Sequence, residues 1–170
     1  MAKIRQNTEV HCPLFQASDR LAEVFRAHGN AEGDSAHLTL WVDASIPGMP
    51  TPIRLERSVI VTIERLHLVG EMVPTYTVRW GPTEPGPFPT FTGTLHVDAD
   101  DDYDTFSLRL DGAYEPPLGL IGAAFDGIIG GRIAAMCSRN LLSLIAGEIE
   151  ANYAKDEAEK SKQREELSSA

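Results

Sequence analysis

Thr105-Phe106-Ser107-Leu108-Arg109-Leu110-Asp111-Gly112-Ala113-Tyr114-Glu115-Pro116-Pro117-Leu118-Gly119 is where the chain changes its period. Phe106, Leu108 and Leu110 alternate with Thr105, Ser107 and Arg109, the mark of a strand with one buried face. Pro116-Pro117 breaks that strand, because proline has no N–H to give to a ladder. From Leu118 the spacing is helical. Ile133, Cys137, Leu141, Leu144, Ile145 and Ile149 share one broad side, with Arg132, Arg139, Ser143 and Glu150 opposite. Leu118 to Ile129 is apolar all round, as a buried helix segment is, and Gly127, Gly130 and Gly131 interrupt it. Each glycine costs about 1 kcal/mol against alanine inside a helix, so a kink or a close approach is expected in return.

Upstream, the same alternation recurs without intervening helices. Leu38, Leu40 and Val42 alternate with His37, Thr39 and Trp41. Leu55, Arg57, Val59, Val61 and Ile63 share a face, as do Tyr76, Val78 and Trp80, and then Phe91, Gly93, Leu95 and Val97. Proline-rich stretches at 46–52 and 81–89 separate them, and the acidic run 98–104 links the last two strands. Strands joined this way form an antiparallel meander with one apolar face. Lys3 to Cys12 adds a weak edge strand, and Pro13 to Ala27 a short amphipathic helix closed by Gly29. The expectation is an α+β fold: a curved antiparallel sheet around a long C-terminal helix. Residues 1–153 form the domain, and 154–170 a charged tail, either a frayed helix or disordered.

Composition limits the partners. The chain has 170 residues, 42 % hydrophobic and 24 % charged, with a net charge of −10. One domain with one core fits that length. The negative balance argues against nucleic acid and against anionic membrane surfaces. Met1 to Asn7 has no apolar run after its basic residues, and no stretch reaches a transmembrane length, so a cytoplasmic location without integral membrane contact is expected. Cys12 and Cys137 have no metal or redox spacing and read as free thiols.

Leu110 to Gly119, then Gly122, Phe125-Asp126 and Gly131-Arg132-Ile133-Ala134, resemble the last strand and long helix of the SRPBCC superfamily. These are the START-like, birch-pollen-allergen-like helix-grip proteins, also called polyketide cyclase/dehydrase-like. The resemblance covers residues 105–150. It implies about seven strands wrapped around the C-terminal helix with a hydrophobic cavity between, and ligands such as lipids, sterols, polyketides, quinones or hormones. It supplies no catalytic residue. The single clear N-terminal helix and the segment 46–52 depart from the family pattern.

A strongly bent sheet does not close fully on a helix, and Gly93 and Gly112 at inward positions favour bending. The residues expected to line such a pocket are Arg57, Val59, Val61, Tyr76, Val78, Trp80, Phe91, Leu95, Leu108, Leu110, Tyr114, Phe125 and Ile133. Arg57, Tyr76 and Tyr114 carry polar tips. The plainer alternative is a filled core, which needs the same residues on the same face. Arg57 then covers a rim with its stem, and Tyr114 caps the core through its hydroxyl.

The sequence has no GxSxG, GxGxxG or Walker motif, and its five histidines form no HxxxH pair, so no metal or cofactor is expected. His37 and His96 face outward. The aspartates of 98–104 lack the glycine and distal glutamate of a calcium loop. Three functions remain: carriage of a small hydrophobic molecule, cyclase or dehydratase chemistry in which Arg57 polarises and Tyr76 or Tyr114 donates a proton, or a protein-interaction module with Trp41 outward on its strand. The oligomeric state is left as monomer or homodimer.

Overall fold

A computed structural model describes residues 2–45, 54–68, 70, 73–84, 89–101, 103–115 and 130–168, of which 2, 41–45 and 54–57 are described by their backbone alone. Six strands are β1 (Ala2–Val10), β2 (Ser35–Ser45), β3 (Arg54–Leu66), β4 (Thr75–Pro82), β5 (Thr90–Ala99) and β6 (Phe106–Glu115). Two helices are α1 (Ala17–His28), entered through a 3-10 turn at Leu14–Gln16, and α2 (Gly131–Ser168).

The strands form one antiparallel sheet in the order β1-β6-β5-β4-β3-β2. Its first and last strands are far apart in the sheet, yet α2 touches both β1 and β2. The sheet therefore curls around the helix. The described residues carry six strands, one fewer than the resemblance implied. Each of these six follows one of the alternating runs of the sequence.

The register sets a single inner face. Ile4 faces Gly112, which faces Gly93, which faces Val78, which faces Ile63 in turn. Two residues on, Leu110, Leu95 and Tyr76 continue the row. Against that face α2 buries Ile133, Cys137, Leu141, Ile145 and Ile149, all five at intervals of four residues on one stripe. Burying a leucine or isoleucine side chain is worth about 1.5–3 kcal/mol, so this stripe is what fixes the helix in the grip of the sheet.

α2 has 38 residues, about 57 Å at 1.5 Å per residue. Beyond Tyr153 it continues as a mostly exposed helix through the charged segment that begins at Lys155. Both cysteines are buried and free, and burial pushes the Cys137 thiol up to about 12, which makes it an inert core residue. Among the described residues no helix is long and apolar enough to cross a membrane.

Candidate functional site

The inner face has two ends. At one end stands Tyr76, and α1 packs there against β2 and α2. Phe25 sets its ring edge-on to Tyr76, 4.8 Å between centroids at 83°. Leu21, Val24, Phe25, Ile145 and Ile149 are essentially inaccessible there. Polar contacts tie α1 and the residue after β1 to the middle of α2. His28 Nε2 lies 2.8 Å from a Glu148 carboxylate oxygen. The Glu150 carboxylate accepts from the backbone N–H of His11 at 2.8 Å and meets its ring Nδ1 at 3.0 Å. Arg20, buried on α1, donates to Glu23 and lies 2.7 Å from Asp156. The hydrogen bond and attraction of the Glu150 carboxylate raise the His11 pKa from its ordinary value, and the bonds from the His11 backbone and ring lower that of Glu150.

The other end is built differently. Trp80 and Phe91 face each other across β4 and β5, stacked at 3.8 Å between centroids and 8° between planes. Beyond Phe91 the inner face has no side chain at Gly93 or Gly112. A Cβ at Gly93 would lie 2.5 Å from Phe91 Cζ, and one at Gly112 would lie 2.4 Å from the same atom. The phenyl ring thus leans over two adjacent stretches of bare backbone. Tyr114, 3 % exposed, packs against the opening of α2, where a Cβ on Gly130 would come within 3.1 Å of its ring and one on Gly131 within 3.2 Å of its hydroxyl. Gly130 and Gly131 therefore permit the close approach that their helical cost suggested. The indole Nε1–H of Trp80, 3 % exposed, has no hydrogen-bond partner among the described residues.

The residues expected at the site fall as follows. Val59, Val61, Tyr76, Val78, Trp80, Phe91, Leu95, Leu108, Leu110, Tyr114 and Ile133 are all buried on the facing surfaces of sheet and α2. Trp80, Phe91 and Tyr114 gather at the glycine end, and Tyr76 stands under α1 at the other. The backbone of Arg57 lies in β3 opposite Val42. Its side chain, that of Trp41 and the whole of Phe125 lie outside the described residues, as do 46–52 and 118–129.

Three features were not singled out from the sequence. Trp80 was read as apolar lining, although its donor is its most informative atom. Arg65 continues the parity of Val59, Val61 and Ile63 and sits opposite Tyr76. Its Nε is buried without a partner, while its side chain is 35 % exposed and its terminal nitrogen lies 4.0 Å from Asp34. Glu150, assigned to the wetted back of the helix, is the anchor for His11. Away from the inner face, on β5 and β6, Asp98 takes a 2.5 Å bond from Arg109, which holds its carboxyl below the usual range, and Asp100 accepts from Ser107. The acidic run is thus partly engaged by its own strand neighbours.

No protein-family model matches the sequence, and no curated protein matches it. Solved structures do resemble it. A conserved protein from Geobacillus kaustophilus superposes with a TM-score of 0.52 at 15 % identity, over 91 % of this chain and 96 % of that one. A START superfamily protein from Mycobacterium smegmatis has a TM-score of 0.40 at 12 % identity, over 90 % and 97 %. The Zhui aromatase/cyclase from a Streptomyces species has a TM-score of 0.31 at 15 % identity, over 94 % of each. At these identities the first likeness speaks to the fold alone, and the lower-scoring two carry no argument. The fold is helix-grip: an antiparallel sheet curled around a long C-terminal helix.

Proposed function

We propose that the protein binds a small hydrophobic molecule, of the lipid, polyketide, quinone or aromatic kind, between the inner face of the sheet and α2. The observation that carries this reading is the Gly93–Gly112 pair. A sheet that only had to fill its core gains by placing branched side chains at paired central positions, each worth about 1.5–3 kcal/mol when buried. Here two neighbouring inner positions carry none, and an aromatic ring leans into the space instead. Ligand pockets are mostly apolar with a few fixed polar groups. Tyr76, Trp80 and Tyr114 are such groups on an otherwise aliphatic and aromatic surface. Val59, Val61, Val78, Leu95, Leu108, Leu110 and Ile133 supply the apolar lining, with Arg57 and Phe125 retained as candidates from the sequence alone.

Carriage is favoured over turnover, because the polar tips described at the glycine end are one indole and one phenol rather than a matched acid and base. The test is native mass spectrometry of the purified protein, then denaturing mass spectrometry of what it releases. A retained apolar molecule supports the reading and gives its class. An empty protein, whose melting temperature no lipid, quinone or flavonoid raises, overturns it in favour of a filled core.

A further inference from the structure

We infer that Trp80 selects the ligand: it donates its indole N–H to an oxygen acceptor on a planar, largely apolar molecule held at the glycine end of the inner face. This rests on the binding function proposed above and adds the chemistry that the bound molecule must carry.

A buried donor without an acceptor is costly, and folded proteins leave few of them. Two such nitrogens occur among the described residues, Arg65 Nε and Trp80 Nε1. They differ in their alternatives. The Arg65 side chain is 35 % exposed, so the rest of its guanidinium reaches solvent and the neighbourhood of Asp34. Trp80 has one donor, and the residue is 3 % exposed. A tryptophan placed only to fill space is replaceable by phenylalanine or leucine without that penalty. Its position points to a ligand as well. The indole lies parallel to Phe91, whose ring leans over Gly93 and Gly112. The N–H lies in the indole plane, so its acceptor sits on the edge of a molecule lying beside the stack rather than on its π face, and a flat molecule meets the two parallel rings there edge-on. A ketone, quinone, lactone or aryl ether oxygen satisfies both demands.

The test compares 9-fluorenone with fluorene, two planar tricycles of nearly equal size that differ in a carbonyl against a methylene. Their affinities are measured by isothermal titration for the full chain and for Trp80→Phe, which keeps a ring and removes the donor. In the unsubstituted protein fluorenone is expected to bind roughly three- to tenfold tighter than fluorene, the range of one net hydrogen bond. The Trp80→Phe variant is expected to lose that preference while holding fluorene as before. In the proton–nitrogen correlation spectrum the Trp80 indole N–H resonance moves downfield with fluorenone and not with fluorene. Equal binding of both molecules, or an indole resonance that fluorenone leaves in place, overturns the role of Trp80 and leaves the pocket standing. Binding of neither overturns the planar ligand and the role of Trp80, and the pocket then stands or falls on the mass spectrometry described above. Should Trp80→Phe fail to fold, the two ligands and the indole resonance of the unsubstituted protein still decide.

Discussion

The two ends of one inner face meet the same requirement, burial of aromatic side chains under a curled sheet, in opposite ways. Under α1 the rings are locked: Phe25 meets Tyr76 edge-on, and aliphatic side chains of α1 and α2 surround the pair. At the glycine end the rings lie parallel, lean over backbone without side chains, and hold a donor with no acceptor. A closed core discards polar atoms and fills its volume. A receptive one keeps a few polar atoms and some bare surface. The difference teaches that a single apolar stripe along the strands can be closed by side chains at one end and, under the function proposed above, serve recognition at the other.

The sharpest way to break this comparison is Phe25→Ala. Phe25 is fully buried, so its truncation is expected to cost about 3–5 kcal/mol in denaturant unfolding. Ligand retention by the fraction that stays folded is expected to survive. Loss of both together would mean that the ends are one unit. The complementary change is Gly112→Val. Its Cβ would stand 2.4 Å from Phe91 Cζ and 2.6 Å from the Thr92 carbonyl oxygen. Overpacking of this kind costs about 1–3 kcal/mol. It is expected to unstack Phe91 from Trp80 and abolish ligand retention, read by near-ultraviolet circular dichroism and native mass spectrometry. A variant that still carried ligand would remove the glycine end from the site.

Arg20→Met probes the clasp under α1. It removes a buried cation from two carboxylates that remain partly exposed, so a loss of about 1–3 kcal/mol is expected. The exposed Lys155–Ser168 part of α2 should then gain amide exchange ahead of the rest of the helix. The smallest effect concerns His11 and Glu150. The His11 pKa is raised from 6.5, so its contribution is complete below that pH and is lost as pH rises through the folded value. The Glu150 pKa is lowered from 4.5, so its contribution is complete above that pH and is lost as pH falls through the folded value. The pair is therefore fully formed between about 4.5 and 6.5. The melting-temperature difference between the unsubstituted protein and His11→Gln is expected to be greatest there and to shrink on either side. A difference that does not vary with pH would show that only the backbone N–H of His11 anchors Glu150.

The sheet was legible because alternation is local: the side-chain period of two in residues 105–110 or 91–97 assigns every residue to a face before any partner strand is known. The stripe of α2 was legible for the same reason. Arg65 obeys the same rule, one step of two beyond Ile63, where the apolar run ends. Glu150 was not within its reach. Its helical phase places it at the edge of the polar side, and only the arrival of His11 from the end of β1 makes it an anchor.

By itself, then, the sequence determined the elements, their inner and outer faces and the burial of the lining from Val59 to Ile133, since each depends on intervals of two to four residues. The tertiary structure alone decided how the strands order around α2, and which end α1 closes. It also decided that Phe91, from ten or more residues away in each direction, stacks on Trp80 and leans over Gly112. Those are contacts between distant segments, and their geometry follows from the curl of the whole sheet rather than from any local spacing. The unpaired indole N–H belongs to the same class, because a donor is satisfied or orphaned only by what the rest of the fold brings to it.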